Sequence, residues 1–133
     1  MSADILIRSP TRADIPALAS LLVAEQFGDD AAGRLYDGFD RIRQFSMIAM
    51  SEAQLSGALI ATFNGWHVFA SHLAVMASAR RRGIARRLVE SLCDRARAAG
   101  AKGVIADARL SAVGFCNALG FRLPGAVFLI RDL

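Results

Sequence analysis

The sequence predicts one layered α/β domain (α+β in its element order) spanning residues 1–133. Three observations carry that reading. The length of 133 residues is close to the commonest size of a single domain. The apolar pattern switches repeatedly between a helical period and a strand period along the chain. The central strand segments are apolar on both faces, whereas strands covered on one side alternate with polar residues, so helices are expected on both sides of the sheet. With 54% apolar and 21% charged residues, a disordered tail is excluded.

Ile5-Leu6-Ile7, ended by Ser9-Pro10, reads as a first strand. Thr11 stands three residues before Asp14 in a capping pattern, and Ile15, Leu18, Ala19, Leu22 and Gln26 follow at helical spacing, with Pro16 tolerated in the first turn. In residues 28–45, Leu35, Phe39 and Ile42 share a helical face, but Gly33 and Gly38 each cost about 1 kcal/mol relative to Ala, so a mobile helix is expected. Met47 to Met50, Leu55 to Phe63 and Trp66 to Val75 then read as three successive strands. After Gly83, Ile84, Leu88, Leu92 and Ala96 form one stripe until Gly100, which makes this the best-defined helix. Val104 to Ala106 form a strand, and Ser111 is placed to cap a short helix that ends at Gly120. A further strand, a Pro124-Gly125 turn and a last strand, Ala126 to Ile130, are expected to finish the chain.

The 27 residues from Ala53 to Ala79 carry no formal charge, long enough to cross a bilayer. Polar residues interrupt them, and Asn64-Gly65 at their middle favours a tight turn, so they read as a buried β-hairpin. The start, Met1-Ser2-Ala3-Asp4, lacks the regions of a signal peptide, and a soluble cytoplasmic protein is expected. Two cysteines, Cys93 and Cys116, make no disulfide scaffold and no zinc spacing, so a reducing compartment and no metal are expected. Basic charge is 15 Arg and the single Lys102. Its placement matters more than its total: residues 80–97 hold seven Arg against two acids, net +5, and residues 25–40 hold five acids against Arg34, net −4.

Chemistry concentrates where a strand runs through a loop into a helix, Leu73-Ala74-Val75-Met76-Ala77-Ser78-Ala79-Arg80-Arg81-Arg82-Gly83-Ile84-Ala85-Arg86-Arg87-Leu88. The first N–H groups of a helix lack intrahelical partners and sit at the positive end of its dipole. Five arginines around such an end oppose stability, each by roughly 0.3–1 kcal/mol, unless an anion binds there and reverses the sign. Gly83 lets a bulky phosphate approach the backbone, and a diphosphate fits. Neither Gly-x-x-x-x-Gly-Lys-Ser/Thr nor Gly-x-Gly-x-x-Gly is present, which excludes the P-loop and the dinucleotide fingerprint. The plain alternative is a solvated, arginine-rich helix start.

Arg80-Arg81-Arg82-Gly83-Ile84-Ala85 matches Gln/Arg-x-x-Gly-x-Gly/Ala, and Ala112 to Phe121, ending in Leu119-Gly120-Phe121, resembles the late helix of the same family. By these two segments the chain resembles the GNAT superfamily of N-acetyltransferases over nearly its whole length. The resemblance implies a mixed, mostly antiparallel central sheet with helices on both faces and a splayed parallel strand pair. It implies acetyl-CoA as cosubstrate, its diphosphate on the backbone amides of Arg81, Arg82, Gly83, Ile84, Ala85 and Arg86, with Arg80 opening that loop. The pantetheine arm would pair with Leu73, Ala74 and Val75, and the Val75 N–H would polarise the thioester carbonyl. The acceptor would be a primary amine on a small molecule or a protein, attacking directly in a ternary complex.

Many members protonate the departing thiolate with a Tyr, and the matching position here holds Cys116, preceded by Phe115. Arg109 stands where an Asn often accompanies that helix. Cys116 is therefore the candidate proton donor, against the reading of a small thiol buried in a helix. An amine must also lose a proton. His67, His72 and Asp107 are candidates, and His72 is preferred because it precedes the Leu73 to Val75 edge, although alternation puts His72 and Leu73 on opposite faces. A second reading keeps the fold and the CoA site without catalysis, as an acyl-CoA-responsive regulatory or interaction module. Nucleic-acid binding by the basic face lacks a helix-turn-helix spacing or an aromatic stacking stripe. A homodimer would follow if a terminal strand paired across two copies.

Overall fold

The computed structural model describes residues 4–108 and 110–133; Met1-Ser2-Ala3 and Arg109 lie outside the described residues. Along the chain run β1 (Ile5–Arg8), α1 (Ile15–Ala24), α2 (Ala31–Ile42), β2 (Met47–Ser51), β3 (Gln54–Phe63), β4 (His67–Val75), α3 (Ile84–Ala98), β5 (Gly103–Ala106) and α4 (Val113–Ala118). The strands lie side by side in chain order, β1-β2-β3-β4-β5. The first three pairings are antiparallel and β4-β5 is parallel, the two strands being joined through α3. This is the mixed, mostly antiparallel sheet with a parallel pair that the family resemblance implies.

The hairpin between β3 and β4 closes where Asn64-Gly65 predicts it. The Asn64 Oδ1 accepts from the N–H groups of Trp66 and His67, each at 2.9 Å, and Gly65 takes a φ of 98° that a side chain resists. Helices cover both faces of the sheet. On one side Ile48, Ala58, Ile60 and Ala74 meet Ile15, Leu18 and Leu22 of α1 and Leu35 and Phe39 of α2. On the other, Met47, Ala49, Leu59, Ala61 and Val68 meet Ile84, Leu88, Leu92 and Ala96 of α3. Leu35 and Phe39 are thus core residues of a continuous twelve-residue helix, with Ile42 packed beside them, and Gly33 lies on its exposed side.

Two expectations need correction. No strand forms among residues 121–133, although Ala126 to Ile130 has strand-like composition. Strand propensity expresses packing against neighbours, and here Val127, Leu129 and Ile130 are at least three-quarters exposed, while Phe128, itself exposed, stacks on the Phe69 ring at 6.3 Å. Ser111 does not cap α4. It lies within a 3-10 turn, Leu110–Ala112, so Ala112 takes the cap position.

Candidate functional site: a notch between two parallel strands

The parallel pair separates partway along. β4 and β5 are in register from His67–Gly103 to Ala70–Ala106, and there β5 ends while β4 continues to Val75. The phase of the β3 ladder decides which way the freed stretch faces. The Met76 N–H donates to the Ser56 carbonyl at 2.8 Å, and Ala58–Ala74 and Ile60–His72 are the next pairs of that phase. Antiparallel ladders alternate, so Ala74 and His72 spend their backbone groups on β3, whereas Leu73 and Val75 turn N–H and C=O toward the side β5 has left. An extended chain carrying amides can bond to that edge.

The ladder slips by one residue between Ile60 and Ala61, and Ser71 is the extra residue. Its Oγ donates to the Ile60 carbonyl at 3.3 Å and lies 2.8 Å from the His72 Nδ1. Below the separation is a cavity of about 290 Å³, walled by Ser71 and Leu73 of β4, Asp107 after β5, Leu92 of α3 and Cys116 of α4, with Glu25 at the end of α1 also on its wall.

The loop from β4 to α3 brings the second half of the site. A 3-10 turn, Ala77–Ala79, leads to Arg81 with a φ of 67° and Gly83 with a φ of 75°, and Gly83 caps α3. Its carbonyl already accepts from the Arg87 N–H at 3.1 Å, so the N–H groups of Ile84, Ala85 and Arg86 are those a helix leaves over at its start. Nothing stands within 4 Å of the point where a Cβ on Gly83 would be, so the approach is open. Arg82 Nη2 donates to Ser51 Oγ at 3.4 Å, and Arg87 Nη1 to the Ile5 carbonyl at 2.8 Å. Arg80 turns the other way: its Nε donates to the Val75 carbonyl at 3.3 Å, and its Nη2 forms an ion pair with Glu25.

The two candidate proton-transfer residues are placed differently. Cys116 lines the cavity, and burial pushes its thiol up, so it stays protonated at neutral pH. His72 lies on the α1–α2 side, its ring 4.8 Å from that of Phe27, and reaches the cavity wall through Ser71. Burial holds His72 below its ordinary value, partly opposed by the Asp107 charge, so its neutral form is favoured. Leu73 lines the cavity, as alternation from His72 requires, and Ala74 is buried against α1.

Sequence reasoning missed Ser71 and overlooked Glu25 as a wall residue. The bulge that turns Ser71 has no local signature, and Glu25 reads as an ordinary polar helix end. Among the described residues no group of three or more His, Cys, Asp or Glu is arranged to hold a metal, both cysteines are free, and no helix is long and apolar enough to cross a membrane.

Known structures share this architecture. A transcriptional regulator from Bacillus halodurans C-125 superposes with a TM-score of 0.83 at 18% identity, covering 97% of this chain and 100% of that one. The aminoglycoside N-acetyltransferase AAC(6')-Iy in complex with CoA gives 0.79 at 23% identity, covering 99% and 97%. A ribosomal-protein-alanine N-acetyltransferase from Brucella melitensis biovar Abortus 2308 gives 0.79 at 21% identity, covering 97% and 100%. No curated protein sequence matches significantly. The model of the acetyltransferase (GNAT) family matches residues 15–121, which contain the notch, the loop and α4 together. The chain belongs to the GNAT acetyltransferase family.

Proposed function

We propose that the protein is an acetyl-CoA-dependent N-acetyltransferase, a single cytoplasmic domain over residues 1–133 that passes an acetyl group to a primary amine by direct attack in a ternary complex. The observation that carries this is the juxtaposition of the open amide end of α3 with a β4 edge, at Leu73 and Val75, that β5 does not pair. That pairing of features suits a ligand with an amide-bearing arm and a diphosphate. Acetyl-CoA, when bound, supplies the acetyl group as a thioester.

The chain's own residues divide the work. Leu73 and Val75 hold the arm on their free edge, with Ala74 between them fixing that edge through its pairing with β3, and the amides from Arg81 and Arg82 through Gly83, Ile84, Ala85 and Arg86 take the diphosphate. The Val75 N–H, aimed into the notch, stabilises negative charge developing on a carbonyl oxygen. With its single proton turned from the Ile60 carbonyl to the unprotonated Nδ1 of neutral His72, the Ser71 hydroxyl passes that proton to the ring as it takes one from the acceptor amine. Cys116, kept protonated by burial, is the proton donor on the leaving side. Arg80 orders the Val75 carbonyl.

The test is free thiol released from acetyl-CoA with a panel of primary amines, comparing the parent with Cys116→Ala and His72→Ala. Amine-dependent release that falls in both variants supports transfer. A second reading is favoured by the lack of a phenol at residue 116: CoA binding without amine-dependent release would make this an acyl-CoA-responsive module.

A further inference from the structure

The ion pair between Glu25 and Arg80 joins two segments 55 residues apart, and its members are unequal in their surroundings. The Glu25 side chain is 23% exposed and lies on the cavity wall that also carries Ser71 and Cys116, whereas the Arg80 side chain is 52% exposed and is not part of that wall. Glu25 terminates α1, where its charge faces the negative end of the helix dipole. Helix stability therefore does not explain a carboxylate there. The next residue, Gln26, is held at a φ of 67°, which turns the chain so that Phe27 also reaches the cavity wall. The segment that follows is acid-rich: Asp29, Asp30, Asp37 and Asp40 with Glu25, against Arg34, give residues 25–40 a net charge of −4.

We propose that Glu25 is the seat of a cationic acceptor, and that in the free protein the Arg80 guanidinium occupies this seat. The inference rests on the acetyltransferase reading and adds the acceptor's class: an amine carrying net positive charge, such as a diamine, favoured over an amine that also carries a carboxylate. Glu25 and Ser71 line the same cavity, so a diamine whose second ammonium sits on Glu25 has its reacting amine in the space that Ser71 faces. A part-buried carboxylate discriminates by charge because an anionic group facing it is repelled. Glu25 is a specificity residue, so its loss acts on selectivity and on KM more than on kcat.

The experiment compares 1,4-diaminobutane with 4-aminobutyrate, two amines of matched length and opposite second charge, at saturating acetyl-CoA. Heat of CoA binding is measured in parallel for the parent, Glu25→Gln and Arg80→Gln. The parent is expected to favour the diamine in kcat/KM by about tenfold or more. Glu25→Gln should level that preference through KM, with its CoA binding and melting temperature retained. Arg80→Gln should lower KM for the diamine by removing the competing cation. A preference unchanged in Glu25→Gln overturns the assignment and leaves the acetyltransferase reading intact. CoA binding without turnover of either amine overturns the assigned acceptor class. Absence of CoA binding to the parent removes the reading beneath it as well.

Discussion

Gly57 of β3 and Ile84 of α3 approach so closely that no side chain fits between them. A Cβ built on Gly57 would lie 2.8 Å from Ile84 Cγ2 and 3.3 Å from Leu88 Cδ1. Both contacts fall in the first turns of α3, whose free amides form the proposed anion site. The glycine thus sets how near the positive end of α3 sits to the β4 edge.

Gly57→Val is accordingly expected to cost about 1–3 kcal/mol by overpacking and to weaken CoA binding disproportionately. Urea unfolding gives the first quantity and titration calorimetry the second. A variant that loses stability without losing CoA affinity would show that the anion site does not depend on this contact.

Arg8 and Asp14 meet through two hydrogen bonds, at 2.8 and 2.9 Å, and the Thr11 N–H also donates to Asp14. The Arg8 hydrogen bonds lower the Asp14 carboxyl from 3.8 to about 2. Because the folded value is depressed, the unfolded chain binds the proton more readily, and stability is lost as pH falls from about 4 to 2. Asp14→Asn should cost on the order of 1 kcal/mol near neutrality, allowing for solvent around Arg8. That difference from the parent should shrink toward zero at pH 2 in thermal melts.

His72 and Ser71 yield a kinetic expectation. Burial holds His72 below its ordinary 6.5, so its neutral form persists into mildly acidic solution. The acid limb of kcat/KM should lie below pH 6.5, as His72 gains its proton. His72→Ala should remove that limb and lower kcat by about 10²-fold, and Ser71→Ala should lower kcat while keeping the histidine's titration. An unchanged profile in His72→Ala would assign proton removal elsewhere.

Gly33 occupies an exposed interior position of α2, with nothing within 4 Å of a Cβ built there. Gly33→Ala should raise stability by about 0.5–1 kcal/mol, measured by urea unfolding, because alanine loses less backbone freedom on folding.

The sequence made the scaffold legible wherever one period dominated. The stripe of Ile84, Leu88, Leu92 and Ala96 located α3, and Asn64-Gly65 located the hairpin. The opposite faces of His72 and Leu73 followed from alternation, and the structure has His72 beside Phe27 and Leu73 on the cavity wall. What stayed hidden depends on contacts between distant segments. Ser71 owes its position to a one-residue slip against Ile60 and Ala61, and Glu25 meets Arg80 only because α1 packs beside β4. The tail from Ala126 misled for the related reason that strand-like residues form a strand only when a neighbour pairs with them.

The central claim is that the amide end of α3 beside Gly83 grips the diphosphate of coenzyme A. Titration calorimetry and thermal melting with coenzyme A should be run on the parent, on Gly83→Ala and on Gly83→Glu. The alanine and glutamate variants share the backbone strain of a side chain at a φ of 75°, and only the second adds negative charge. The account predicts heat and a raised melting temperature for the parent, weaker binding for Gly83→Ala, and none for Gly83→Glu. No heat and no melting shift in the parent, or equal binding in the alanine and glutamate variants, would contradict it.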